Sequence, residues 1–118
     1  MSMVLVVDND EDTCWLISCF LKEDGYDVDI AHSGRSALRK ISRNQYDVII
    51  LDLRLQKISG LTVLEKVRDI SPSTRTIMIS AYGNKSTRKR AGKLEVFDFM
   101  EKPVDMRKLM KVVKKALK

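Results

Sequence analysis

Val48-Ile49-Ile50-Leu51 is apolar at every position, and Val4-Leu5-Val6-Val7 and Ile77-Met78-Ile79 repeat the pattern. A run that does not alternate needs cover on both faces, the condition met by a parallel sheet flanked by helices. Two weaker runs, Val28 to Ala31 and Phe97 to Met100, alternate and are expected at the sheet edges. Amphipathic stretches fall between the runs. Thr13, Leu16, Ile17, Phe20 and Leu21 predict one helical stripe, closed by Gly25 as a C-terminal cap. Ala37, Leu38 and Ile41 predict a second, and Leu61, Leu64, Val67 and Arg68 a third. Residues 84–93 form the least apolar stretch, and Met106, Leu109, Met110, Val113 and Leu117 the last, behind Asp105 as N-cap. Five strands alternating with five helices predict right-handed crossovers and an α/β fold, a doubly wound five-stranded parallel sheet.

The length of 118 residues suits one domain, expected to span 1–118, and 44% hydrophobic content supplies its core. Neither linker, internal repeat nor low-complexity segment interrupts it. No apolar run reaches the length of a membrane span, and Met1-Ser2-Met3-Val4 leads directly into a strand rather than a signal peptide. Cys14 and Cys19 stand five apart, matching no metal or redox spacing. They are expected to be reduced thiols in a cytoplasmic protein.

The net charge of +6 is unevenly spread. Residues 1–83 carry 10 basic and 12 acidic side chains, a net −2, whereas residues 84–118 carry 12 basic and 4 acidic, a net +8. Two readings stand. The basic third faces an acidic partner, or Arg107, Lys111, Lys114 and Lys118 are the solvated side of a helix. Nucleic acid is a third class of partner. The region has aromatics only in its strand, Phe97 and Phe99, which argues against base stacking by this domain alone.

Asp8, Asp52, Ser80 and Lys102 each end or follow a strand run. In an open parallel sheet such positions gather at the carboxyl edge, where ligands bind. Two carboxylates, a hydroxyl and an ammonium meeting there can hold a divalent cation, offer a nucleophile that forms an acyl phosphate, and neutralise a phosphoryl group. An Asp directly after a buried strand is costly unless paired, and Lys102 is the natural counter-charge. The run Asp8-Asn9-Asp10-Glu11-Asp12 also suits a helix N-terminus, and Glu11 and Asp12 are read as that alone. It is not a calcium loop, since the sixth and twelfth places hold Thr13 and Cys19 rather than Gly and Glu. It also lacks the Asp-x-Asp-x-Thr pattern of dehalogenase-type phosphatases, because its fifth residue is Asp12.

Taken in order, Val6-Val7-Asp8, Leu51-Asp52, Gly60, Ser80-Ala81 and Phe97-Asp98-Phe99-Met100-Glu101-Lys102-Pro103 resemble a response-regulator receiver domain over essentially the whole chain. Ala31-His32-Ser33-Gly34-Arg35-Ser36-Ala37-Leu38 resembles the family's second strand, turn and helix. The resemblance implies a flavodoxin-like strand order 2-1-3-4-5 and a role in two-component or phosphorelay signalling. Asp52 would accept a phosphoryl group from a phosphohistidine of a sensor histidine kinase or histidine phosphotransferase. Asp8 and Asp52 would hold Mg²⁺, with the backbone carbonyl of Arg54 as a further ligand. Ser80 and Lys102 would bind phosphoryl oxygens, and Phe99 would turn inward as Ser80 moves. The chain would then be a phospho-acceptor that assists its own phosphorylation and dephosphorylation, not an enzyme acting on other substrates. Its basic last two helices and last strand would meet a downstream protein.

Three departures qualify this reading. Asn9 stands where receivers usually carry a second metal-binding acid; an amide oxygen can bind Mg²⁺ but removes a unit of charge, and Asp10 is the nearest compensating acid. Gln56 replaces a proline after the phosphorylated Asp, and Leu94-Glu95-Val96 replaces small residues before the last strand. Asn9 raises the alternative of a pseudo-receiver, an interaction module that works without phosphorylation. A phosphate hydrolase with Asp52 as nucleophile is disfavoured, because Arg54 stands where its general acid belongs. Trp15 lies off the first helical stripe near the carboxyl edge, where it either docks a helical phosphodonor or lies along its own helix. His32, the only histidine, is expected in a surface loop without a metal role.

Overall fold

The computed structural model describes residues 2–81 and 84–118; Met1, part of the lead-in to the first strand, lies outside them. Five strands and five helices alternate: β1 (Met3–Val7), α1 (Glu11–Glu23), β2 (Asp27–Ala31), α2 (Gly34–Arg43), β3 (Val48–Asp52), α3 (Gly60–Ile70), β4 (Arg75–Ser80), α4 (Lys85–Lys93), β5 (Asp98–Glu101) and α5 (Met106–Ala116). The sheet is parallel throughout and runs β2-β1-β3-β4-β5, the order the resemblance implied.

The unbroken runs take the middle of the sheet. Val4 to Val7, Val48 to Leu51 and Ile77 to Ile79 are fully buried, while β2 and β5, the alternating strands, form the two edges. Alternate side chains enter two cores. Leu5, Val7, Ile49, Leu51 and Met78 pack with α2 and α3, and Val4, Val6, Ile50, Ile77 and Ile79 pack with α1 and α5. Each such side chain contributes roughly 1.5–3 kcal/mol when wholly removed from water. All five helices start on a side-chain cap, Asp10, Ser33, Ser59, Asn84 and Asp105, each accepting a backbone N–H from the first turn.

Two helical stripes differ from expectation. In α1 the buried positions are Cys14, Ile17, Ser18 and Leu21; Leu16 and Phe20 are 42% and 37% exposed. The apolar residues of α1 surround most of its circumference, so periodicity alone did not select the inner face. In α3, Val63 is buried in place of Arg68, whose guanidinium bonds Glu95 at 2.6 Å across the surface. Glu95 has a φ of 60°, a left-handed conformation uncommon for a side-chain-bearing residue, in the loop flagged for its lack of small residues. Gly25 also has a positive φ, 89°, one residue past the Asp24 cap of α1.

Candidate functional site

Register explains the gathering at the carboxyl edge. Val7 pairs with Leu51, so Asp8 follows beside Asp52, the last residue of β3. Asp52 pairs with Ile79 and Ser80 with Glu101, so Ser80 and then Lys102 come next along the neighbouring strands. Asp8, Asp52 and Ser80 are buried, and the backbone N–H of Lys102 donates to the Ser80 carbonyl at 2.8 Å.

Lys102 Nζ lies 2.9 Å from Asp8 Oδ2 and 3.2 Å from Asp52 Oδ2, so one ammonium bridges two carboxylates. The other oxygen of each acid accepts a backbone N–H: Asp8 Oδ1 from Asp10 at 2.9 Å, Asp52 Oδ1 from Arg54 at 3.2 Å. Burial and the neighbouring Asp8 carboxylate hold Asp52 above the usual carboxylate range, against the opposing pull of Lys102. Burial by itself would lower the Lys102 ammonium; the bonds and charges of Asp8 and Asp52 outweigh it and hold Lys102 above the usual lysine range. Two like charges thus share one counter-ion in a nearly dry notch.

Gly60 makes the notch possible. A Cβ there would collide with the Asp52 carbonyl and the Leu53 Cα, and the Gly60 N–H donates to the Leu53 carbonyl at 2.8 Å. The β3–α3 loop therefore folds back tightly behind Asp52. Within it Lys57 takes a φ of 66°, near the Gln56 that replaces the family's proline.

The donor set fits a hard divalent cation. Asp8 and Asp52 supply carboxylate oxygens in excess of the local positive charge, and the Arg54 backbone is tied against Asp52. Mg²⁺ keeps several waters and needs only one or two protein carboxylates beside a phosphate. Among the described residues no group of three or more His, Cys, Asp and Glu side chains is gathered as a metal cage. Asn9 itself is exposed. Asp10 is already committed: its carboxylate accepts the Asp12 N–H and the Thr13 hydroxyl, both at 3.0 Å, and these hold it below the usual carboxylate range. Asp10 is a helix cap here, not a replacement ligand.

Two contacts were not foreseen. The Asp8 carbonyl accepts the buried Cys14 thiol at 3.2 Å, and His32 Nδ1 lies 3.2 Å from the same oxygen. Burial, with Asp8 next, pushes the Cys14 thiol up to about 12, so it stays protonated and able to donate. His32 is exposed as expected, yet it ties the turn after β2 to the acidic loop. Nothing local in the sequence signals either contact, because each needs the fold to bring its partners together. Phe99 is half-buried on β5, under the Arg88 guanidinium at 4.6 Å from the ring centroid. Trp15 is 66% exposed on α1.

Residues 4–114 match the response regulator receiver domain family, and the chain belongs to it. It is 31% identical over 114 residues to the transcriptional regulatory protein ZraR of Escherichia coli (strain K12), covering 97% of this chain and 26% of ZraR. A CheY-like response regulator receiver domain protein from Methanospirillum hungatei JF-1 has a TM-score of 0.97 at 26% identity, over 99% of this chain and 94% of that one. A response regulator from Burkholderia pseudomallei, crystallised with a phosphorylated aspartic acid, calcium ion and citrate, has a TM-score of 0.89 at 25% identity, over 95% of this chain and 66% of that one. The chain spans about a quarter of the length of the curated relatives it matches. It is a receiver domain of two-component response regulators, a family that implies a histidine kinase partner. Among the described residues no helix is long and apolar enough to cross a membrane.

Proposed function

We propose that Asp52 accepts a phosphoryl group from a phosphohistidine and that Asp8, Ser80 and Lys102 serve that transfer. The observation that carries this reading is the Lys102 ammonium held between the Asp8 and Asp52 carboxylates. In the reaction an Asp52 carboxylate oxygen forms a bond to phosphorus as the phosphorus–nitrogen bond of the donor breaks, leaving imidazole and an acyl phosphate. Asp8, Asp52 and the Arg54 carbonyl would hold Mg²⁺, whose charge would help neutralise the phosphoryl oxygens. Lys102 moves its ion pair from the carboxylates to a phosphoryl oxygen, and the Ser80 hydroxyl donates to another. Water later hydrolyses the same anhydride, the self-limiting half of the cycle.

Phosphorylation replaces the single charge of the Asp52 carboxylate with the close to two of an acyl phosphate, and adds acceptor oxygens, where two carboxylates already share one ammonium. Ser80 and Lys102 answer by moving, and Phe99, between them in sequence, transmits the shift to α4, β5 and α5. That face is the output surface for a downstream protein. Exposed Trp15, with Leu16 and Phe20 beside it on α1, offers the kinase or phosphotransferase an apolar anchor near the notch.

Intact mass spectrometry after incubation with a small phosphodonor and Mg²⁺ tests the reading. One phosphoryl adduct, absent without Mg²⁺ and absent in Asp52→Asn, is expected. No adduct in the unmodified protein at any Mg²⁺ concentration would instead favour the pseudo-receiver reading that Asn9 raises.

A further inference from the structure

The outer side of α5 is uniform. Its exposed residues after the Asp105 cap are Arg107, Lys108, Lys111, Lys114 and Lys115, followed by Lys118. Across the edge strand, five of the nine residues of α4 are Lys or Arg. Among the described residues, Arg88 is the one cation of these two helices with a carboxylate within ion-pair distance, Glu101 at 3.0 Å. Between the two basic ridges lies a groove of about 420 Å³, walled by Arg88 and Lys108 and floored by Phe99, Met100 and Pro103.

The acids on this face are already engaged. Glu101 is held by Arg88, and the Asp105 carboxylate accepts the N–H groups of Arg107 and Lys108 at the start of α5. A two-fold dimer through this face would set each ridge against a like ridge, with far fewer carboxylates than cations to answer it. The recess also discriminates among polyanions. A protein segment can place an apolar side chain on the Phe99–Met100 floor and carboxylates on the ridges. A phosphodiester backbone carries charge at every step and would pass Glu101 and Asp105 without filling the recess.

We propose that this face docks an acidic segment of another protein, with an apolar side chain in the groove and carboxylates along α4 and α5. The inference rests on the output-surface reading above and names the chemistry of the partner. Arg88, stacked on Phe99 and tied to Glu101, is the wall of the groove that such a segment would meet on the α4 side.

Fluorescence anisotropy with a labelled synthetic peptide, Glu-rich with Leu at helical spacing, tests it against a Leu-free Glu peptide and a short random-sequence DNA duplex. The Leu-bearing peptide is expected to bind at least about tenfold more tightly than either control, and Lys108→Glu/Lys111→Glu/Lys115→Glu to weaken it by about tenfold or more. The milder triple Lys→Gln variant should fall between, and circular dichroism should show all variants folded. Equal binding of the DNA or of the Leu-free peptide, no binding of any probe, or a dimer by sedimentation that the triple variant abolishes would each overturn the proposal. Phosphodonor with Mg²⁺ should tighten peptide binding several-fold in the unmodified protein and leave Asp52→Asn unchanged. Docking without that gain would sink the phosphorylation-linked output reading and leave the acidic partner standing.

Discussion

The two ends of the sheet are built from buried polar groups to opposite effect. At the amino end, Tyr46 donates its hydroxyl to Asp29 at 2.7 Å, and Thr74 donates to the Tyr46 carbonyl at 2.7 Å while meeting the Ser71 hydroxyl at 2.6 Å. At the exposed rim, Gln45 adds a bond to Ser71, and Asp47 accepts the Met3 N–H. Apart from Thr76 Oγ1, these groups find partners and most are neutral. At the carboxyl end, two carboxylates compete for one ammonium. The first arrangement holds the chain together. The second holds charge in a place that would be more stable with less of it, and a phosphoryl group or cation can exploit the imbalance. Under the proposed function, stability and signalling chemistry are therefore separated along the strands.

The largest break in this contrast is Lys102→Met. It leaves two buried carboxylates without their cation and is expected to destabilise the fold by about 3–5 kcal/mol near neutral pH. The sign of its pH dependence is diagnostic. Asp52 already titrates above its unfolded value, and losing the ammonium raises it further. A raised folded-state carboxyl binds its proton more tightly than the unfolded chain does, so stability falls as pH rises through that range and returns on acidification. Urea unfolding near pH 7.5 and pH 5 should show the variant recovering much of its loss at the lower pH. An equal loss at both would mean that packing of the lysine stem, not charge, was removed.

The amino end should behave differently. Thr74→Val removes the donor to the Tyr46 carbonyl and the partner of Ser71, costing about 1–3 kcal/mol. No carboxylate is freed, so the loss should be flat with pH, and phosphorylation at Asp52 should proceed at its normal rate. Reduced phosphorylation in a folded Thr74→Val protein would erase the claimed separation of the two ends.

Asp52→Asn sharpens the contrast with an effect of opposite sign. It removes one of the two repelling charges while Asp8 keeps its bond to Lys102. A gain of about 1 kcal/mol, seen as a rise in Tm, is expected together with complete loss of the phosphoryl adduct. A drop in Tm would show that Asp52 is better compensated than its burial and its closeness to Asp8 imply.

Most of the carboxyl end was legible in the sequence, because each candidate site residue ends or follows an apolar run whose direction is set by the parallel sheet. Asp8, Asp52, Ser80 and Lys102 needed only strand order and register to meet. The face of α1 was not legible: Trp15, Leu16, Cys19 and Phe20 are as apolar as the residues that are buried, and small Cys14 and Ser18 take the inner positions. Roles set by distant partners were hidden as well. Cys14 and His32 reach the Asp8 carbonyl from separate elements, while Asp10 spends its carboxylate on its own helix, a cap that the motif obscured. Spacing finds residues that share an edge; it does not say which oxygen each one bonds.

The smallest expected effect concerns Asn9. With Asp10 committed to Thr13 and Asp12, the metal loop offers one fewer carboxylate than the common two-acid pattern. Asn9→Asp restores that charge on an exposed side chain, so without metal it should cost only about 0.5 kcal/mol of extra repulsion toward Asp8 and Asp52. With Mg²⁺ the sign reverses, because the added carboxylate meets a cation directly, and affinity should rise about tenfold, or about 1.4 kcal/mol. Exposed Trp15, early in α1, supplies a fluorescence reporter for the titration. An unchanged affinity would mean that residue 9 lies outside the coordination sphere, and that the excess charge at this end is set by Asp8 and Asp52 alone.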